Sequence, residues 1–148
     1  MKRKFLLVPL TALCALMLAA TALAGSHGTT VKVRGTNLGK LLATSNGHLL
    51  YVFATDKINK DNCFKKPGCT GVWPPVTTKG KPVAASGVKG SLLGTIKLPN
   101  GKQQVTYAGH PLYRWIADPG GGDTSYVGIN ANGGKWWAIN AAGKIVKR

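Results

Sequence analysis

The chain has 148 residues, of which 20 are basic and four are acidic, for a formal net charge of +16. It contains no glutamate, so the composition disfavours any site that needs many carboxylates. The large positive charge instead predicts attraction to anionic partners.

The first 24 residues have the pattern of a secretory signal peptide. Basic residues at positions 2–4 precede an apolar run from Phe5 to Ala24, which ends in Ala22-Leu23-Ala24. A basic head, an apolar middle and a small-x-small exit are the parts of such a signal. A retained transmembrane anchor is the alternative, but Pro9 and the alanine-rich end favour cleavage. We therefore predict a mature chain that starts near Gly25, has no transmembrane span and is exported to the periplasm or the cell exterior.

Cleavage changes both the charge and the number of cysteines. Three of the 20 basic residues leave with the signal, and the remaining 17 against four acidic residues give a formal net charge of +13. Cys14 also leaves, so Cys63 and Cys69 remain. An exported chain with an even number of cysteines is normally oxidised, and a zinc half-site lacks the second cysteine pair that it needs. We predict a disulfide between these two cysteines that closes a short loop.

The mature chain contains the same motif twice. The stretch GHLLYVFATDKINKD, Gly47 to Asp61, recurs as GHPLYRWIADPGGGD, Gly109 to Asp123. Further on, WPPVTTKGKPV, Trp73 to Val83, aligns with WWAINAAGKIV, Trp136 to Val146. Self-similarity of this kind indicates a tandem duplication of a unit of about sixty residues.

Short apolar and aromatic runs separated by glycine-containing turns predict an all-β fold. The dipeptides Asn46-Gly47 and Asn100-Gly101 are typical of tight hairpin turns. We predict a hairpin-rich small sandwich or barrel made of two similar halves. It forms a single domain over residues 25–148, with repeats at approximately 38–85 and 101–148.

The first copy of the motif has the alternation of a buried strand. Because side chains of a strand point to opposite faces in turn, Leu49, Tyr51 and Phe53 share one face and Leu50 and Val52 the other. The aspartates of the motif then fall where the strand ends and a loop begins.

All four acidic residues of this basic chain belong to the repeated motif: Asp56, Asp61, Asp118 and Asp123. Acids that served only solubility would not fall only on equivalent positions, so we expect each pair to have a role. The favoured interpretation is structural, because aspartate accepts backbone N–H bonds in turns. Tyrosine then packs in the core while its hydroxyl finds a polar partner.

A divalent metal site is the alternative interpretation of the same four aspartates. Paired carboxylates and loop carbonyls offer the oxygen ligands that Ca²⁺ prefers, and His48 and His110 add nitrogen ligands for a transition metal. Two carboxylates are few for a hard cation, and lysines in the first loop oppose one electrostatically.

The pattern Y-x4-D, with an aromatic residue two positions after the tyrosine, occurs as YVFATD from Tyr51 and as YRWIAD from Tyr113. With the N-terminal signal, the tandem arrangement and the C-x5-C run followed by WPP, it resembles the bacterial secreted repeat of unknown function, a family of predicted lipoproteins. The resemblance implies an exported protein of tandem repeats and no particular reaction. The chain departs from the lipoprotein members because bulky Leu13 precedes Cys14 where lipid attachment expects a small residue.

We predict a non-enzymatic binding or structural module of the cell envelope that has no cofactor, with a divalent-metal-binding protein as the alternative. An aspartate pair can act as acid and base in glycosidases, but no Ser/His/Asp arrangement, free catalytic cysteine or phosphate-binding glycine loop accompanies it. The predicted partner is an anionic envelope component or an envelope protein, without specific nucleic-acid binding. The candidate binding residues are the repeated positions His48, Tyr51, Asp56, Asp61, His110, Tyr113, Asp118 and Asp123.

Overall fold

A computed structural model describes residues 28–148, and the predicted signal peptide lies outside them. The elements run in the order β1 (Thr30–Thr36), β2 (Gly39–Thr44), β3 (Tyr51–Phe53), α1 (Cys69–Val72), β4 (Thr77–Thr78), β5 (Val83–Ala84), a 3₁₀ helix (Gly90–Leu92), β6 (Leu93–Lys97), β7 (Gln103–Tyr107), β8 (His110–Pro111), β9 (Asn130–Ala131), β10 (Gly134–Ile139) and β11 (Ile145–Val146). Among the residues described, none of the helices has the length and apolar character needed to span a membrane.

The strands of residues 28–148 form three sheets. In the first, β1 lies between β2 and the parallel strand β5. In the second, β10 lies between β3 and β11 and also pairs with β9. In the third, β7 lies between β4 and β6 and also pairs with β8. The all-β prediction is confirmed, and these sheets stay open rather than closing into a barrel.

Both Asn-Gly dipeptides lie in chain reversals, as predicted. The N–H of Gly47 donates to the carbonyl of Thr44, and the N–H of Gly101 donates to the carbonyl of Leu98, each at 2.9 Å. The two glycines have φ values of 91° and 82°, which glycine adopts without the steric penalty that a Cβ imposes. These reversals set the order of the strands within each repeat.

The first repeat contributes β3 and β4 to sheets whose other strands belong to the second part of the chain. In one direction β3 pairs with β10, and the N–H of Ala54 donates to the carbonyl of Lys135 at 2.9 Å. In the other direction the equivalent bond runs from the N–H of Ile116 to the carbonyl of Val72, at 3.0 Å. The repeats are therefore interlocked by backbone hydrogen bonds that run in both directions between them.

The motif tyrosines and tryptophans meet their own counterparts at the centre of the molecule. The backbones of Tyr51 and Tyr113 exchange two hydrogen bonds of 2.9 Å. The indole rings of Trp73 and Trp136 stack with centroids 4.0 Å apart and planes within 5°. Each tryptophan also makes an edge-to-face contact with the tyrosine of its own repeat. The ring centroids are 5.3 Å apart for Tyr51 and Trp73 and 5.1 Å apart for Tyr113 and Trp136, an arrangement that aromatic quadrupoles favour. All four side chains are fully buried.

The motif strand of the first repeat separates two hydrophobic clusters. Leu49, Tyr51 and Phe53 belong to the cluster that contains the stacked tryptophans. Leu50 and Val52 belong to the second cluster. The predicted alternation of faces is confirmed, and burial on both faces explains why β3 has no exposed residue.

The predicted disulfide between Cys63 and Cys69 is present. Both cysteines are fully buried in the first hydrophobic cluster. The bridge closes the segment between Asp61 and α1, so it fixes the chain directly after the first aspartate loop.

Candidate functional site

The four aspartates lie in two equivalent loops. Loop one, residues 54–62, follows β3 in the first repeat, and loop two, residues 116–125, follows the segment of Tyr113 in the second. Tyr113 forms isolated bridges to Tyr51 and Pro75 instead of a strand, so the predicted position of the aspartate at the end of a strand holds for Asp56 in the first repeat. The contacts of each carboxylate show what it does there.

In loop one, both aspartates accept backbone hydrogen bonds. Asp56 accepts the N–H of Asn62 through Oδ1 at 2.7 Å and the hydroxyl of Tyr113 through Oδ2 at 2.8 Å. Asp61 accepts the N–H of Phe64 through Oδ1 at 2.7 Å. Asp56 therefore closes the loop and joins it to the second repeat. Asp61 fixes the start of the segment that contains the disulfide.

Asp56 titrates near neutral pH. Burial raises the pKa of its carboxyl from the ordinary value of 3.8 to about 7, although the hydrogen bonds from Asn62 and Tyr113 lower it. The neighbouring charge of Asp61 raises the pKa further. Burial, followed by the charges of Asp56 and Asp61, also raises the pKa of the Tyr113 hydroxyl. The hydroxyl therefore remains a donor, and the link between the repeats is sensitive to pH through its carboxyl.

In loop two, Asp118 is the buried acid. Its side chain is only 1% exposed, and it accepts the N–H of Leu49 through Oδ2 at 3.0 Å and that of Gly120 through Oδ1 at 2.7 Å. The imidazole Nδ1 of His48 lies 3.8 Å from Oδ1. Asp118 therefore closes its own loop and also holds the start of the motif strand in the first repeat.

Asp123 makes only local contacts. Its Oδ1 accepts the N–H of Ser125 at 2.9 Å and the hydroxyl of the same residue at 2.6 Å. These hydrogen bonds, with a smaller contribution from the charge of Arg148, keep the pKa of Asp123 below its ordinary value. Asp123 stabilises the end of loop two, and these hydrogen bonds stay within the second repeat.

The two repeats hold their equivalent aspartates differently because Pro111 stands where the first repeat has Leu49. Proline has no N–H, so Asp56 lacks the bond that Leu49 gives to Asp118. The hydroxyl of Tyr113 occupies the corresponding oxygen of Asp56 instead. The donor from the other repeat is therefore a backbone N–H for Asp118 and a tyrosine hydroxyl for Asp56.

The equivalent hydroxyl of Tyr51 is buried and has no hydrogen-bond partner. Burial, and then the charges of Asp118 and Asp123, raise its pKa, so it stays protonated. Asp118 already accepts two backbone bonds. The pseudosymmetry of the motif is therefore broken at this hydroxyl.

The two histidines of the motif have different surroundings. His48 lies beside Asp118, whereas His110 lies opposite Tyr107 in the β7–β8 ladder and burial lowers its pKa. Within residues 28–148, no group of three or more His, Cys, Asp or Glu side chains is placed to hold a metal ion. The metal site remains the alternative to the structural role.

Arg34 is a cation beside loop two that the sequence pattern did not reveal, because it lies in β1, outside the motif. A Cβ on Gly47 would be 2.6 Å from its Nη1, and a Cβ on Gly122 would be 2.9 Å from its Nε. Both glycines have positive φ. The positive φ favours glycine at both positions, and the absence of a side chain leaves room for the guanidinium beside them.

The fold and the paired loops define a protein of two interlocked β repeats, each consisting of a hairpin, a tyrosine–aspartate strand and a tryptophan segment. The family model for the secreted repeat of unknown function matches the chain twice, over residues 32–77 and 94–140. The matches cover more than half of the chain, and the chain belongs to this family of secreted repeats. The expected family and tandem arrangement are confirmed. Searches of curated proteins and of solved structures found no match.

Proposed function

We propose that the chain is an exported, non-enzymatic module of the cell envelope whose aspartates hold its loops and whose basic surface binds an anionic envelope component. The observation that carries the structural part is that every aspartate accepts a backbone N–H bond. Carboxylate oxygens engaged in this way serve the loops, and two of the acids also connect the repeats.

The absence of an enzymatic role is part of the proposal. Asp56 has a pKa of about 7, in the range that a general acid or base uses. Its two oxygens, however, each accept a hydrogen bond from the protein, from Asn62 and from Tyr113. This favours a structural carboxylate over one that is directed at a substrate.

The charge distribution supports the anionic partner. All four acids lie in the repeated motif, so the basic side chains elsewhere in the chain have no aspartate or glutamate among them in the sequence. A surface of one sign attracts counter-charged polymers and raises their rate of association. The family description as secreted agrees with a partner in the periplasm or outside the cell.

A melting experiment separates the proposal from the divalent-metal alternative. The mature, oxidised chain is treated with chelator and melted alone and with Ca²⁺, Mg²⁺, Zn²⁺, Cu²⁺ or Fe²⁺. A ligand that binds only the folded state raises Tm by mass action. We expect Tm to be unchanged by every cation. A dose-dependent rise with one cation that is lost in Asp118→Asn would show that the acids bind metal.

A second experiment tests the anionic partner with purified envelope polymer. We expect the mature chain to be retained at low ionic strength and released at high salt, because salt screens exposed charges. The absence of retention at low ionic strength would overturn this part of the proposal.

A further inference from the structure

Two cavities adjoin along the sheet formed by β4, β7 and β6. One has a volume of about 540 Å³ and reaches Lys102, and the other has a volume of about 400 Å³ and reaches Lys81. Lys79 and Gln103 line both cavities, so the two adjoin at these residues. We call them the lysine groove, the pair of cavities that meet at Lys79 and Gln103.

The lysine groove is uniformly positive. Lys79, Lys81 and Lys102 line it, and none of the four aspartates does. Lys97 lies opposite Gln103 in the β6–β7 ladder and adds an exposed cation beside the groove. The charged lining groups are lysines, which act as point charges on phosphate without the fixed fork geometry of arginine.

Residues of both repeats line the groove, since Lys79 and Lys81 belong to the first repeat and Lys102 and Gln103 to the second. In the duplicated alignment Ala142 takes the position of Lys79, whereas Lys144 retains the charge of Lys81. The residues that both copies share, such as the stacked tryptophans, build the core. The lysines of the groove lie outside both hydrophobic clusters, which favours a role at the surface.

We propose that the lysine groove binds a linear phosphate polymer. This inference rests on the proposed anionic partner and assigns it a surface. Lysines spread over two adjoining cavities suit a chain of anionic groups better than a compact anion. No aromatic residue lines the groove, although stacking on aromatic rings is how proteins hold single-stranded nucleic acid. None of the large exposed apolar side chains lines it either, although membrane surfaces are held by such anchors.

The test compares two variants that lose the same charge. The groove variant carries Lys81→Gln, Lys97→Gln and Lys102→Gln. The control variant carries Lys57→Gln, Lys60→Gln and Lys65→Gln, which are exposed lysines in and beside loop one and line neither cavity of the groove. The probe is long-chain inorganic polyphosphate, titrated into the mature chain at several salt concentrations, and melting curves verify that both variants are folded.

We expect the groove substitutions to raise Kd by about tenfold or more and to reduce the slope of log K against log salt by roughly 2 to 3, since each lost phosphate contact lowers it by about one. The control substitutions should raise Kd by less than about threefold, as expected for a long-range charge effect. This difference would support the groove.

Three outcomes would overturn the inference. An equal rise of Kd in both variants would mean that the whole basic surface binds polyphosphate. The proposal of an anionic partner would then stand, but its assignment to the groove would be wrong. Tighter binding to single-stranded DNA with the same number of phosphates, or to vesicles of anionic lipid, would assign the groove to another partner. Absence of binding to polyphosphate and also to envelope polymer would remove both the groove and the proposed anionic function.

Discussion

The carboxylate of Asp118 accepts the backbone N–H of Leu49 at 3.0 Å, although 69 positions of the chain separate the two residues. Asp118 belongs to loop two of the second repeat, and Leu49 begins the motif strand of the first. A side chain of the type that commonly closes turns therefore also joins the two repeats. The acid repeated in the sequence holds the tertiary structure as well as its own loop.

Substitution of Asp118 should destabilise the fold more than substitution of Asp123. Asp118→Ala leaves two backbone donors without their acceptor, the buried N–H of Leu49 and the half-buried N–H of Gly120, and should lower the free energy of unfolding by ~1–3 kcal/mol. Asp56→Ala should cost a similar ~1–3 kcal/mol. Asp123→Ala is the matched control, since it loses only contacts with exposed Ser125, and should have a smaller effect in denaturant titrations.

Melting temperatures of Asp118→Ala and Asp56→Ala that equal that of the unsubstituted chain would show that the acids do not stabilise the fold. In that case their repetition would have to be explained by a ligand.

Removal of the two equivalent tyrosine hydroxyls should have different effects. Tyr113→Phe loses the bond to Asp56 and should lower the free energy of unfolding by ~1–2 kcal/mol. Tyr51→Phe removes a buried hydroxyl that has no partner, so stability should stay equal or rise. The two variants control for one another, because each deletes one oxygen from a fully buried ring. If both variants lost the same free energy of unfolding in urea titrations, the hydroxyl of Tyr51 could not be the unpaired one.

Much of the fold follows from local pattern. The alternation from Leu49 to Phe53 correctly separates the two hydrophobic clusters. The C-x5-C spacing and the predicted exported compartment led to the disulfide between Cys63 and Cys69. These features depend on residues that are close in the chain, or on chemistry that a residue type carries wherever it lies.

The pairing of strands from different repeats could not be predicted in the same way. Hairpin turns pair a strand with its neighbour in sequence, whereas β3 pairs with β10 of the other repeat. This pairing brings Trp73 of one repeat onto Trp136 of the other, a contact between distant residues that no local signal records. The effect of Pro111 is similar, because its missing N–H matters only once Leu49 is known to donate to Asp118.

Stability should fall as pH rises from about 4 to about 7 because of Asp56. Its folded pKa of about 7 lies above the ordinary value of 3.8, so the folded state binds the proton more tightly than the unfolded state. The stabilisation from this group is complete below about pH 4 and is lost as pH rises through about 7. The difference between the unsubstituted chain and Asp56→Asn, measured by denaturant titration at each pH, isolates this group from the others.

We expect that difference to change in favour of Asp56→Asn as pH rises, because the amide cannot ionise. A difference that stays constant from pH 4 to pH 8 would show that the carboxyl does not titrate in this range.

The interlocked repeats should unfold together in one transition. Ala54 bonds to Lys135 and Ile116 to Val72 across the repeats, so loss of either half removes the strand partners of the other. Trp73→Ala and Trp136→Ala each open the shared stack and should cost ~3–5 kcal/mol.

Although these substitutions lie in different repeats, each should lower the Tm of the same single transition, with a calorimetric enthalpy equal to the van't Hoff enthalpy. A variant with two separate transitions, one of them at the unsubstituted Tm, would show that a repeat folds on its own. The pairing of β3 with β10 would then be a contact between two independently folded units. A single transition would instead show that the two repeats fold only together, because each repeat supplies backbone hydrogen-bond partners to the other.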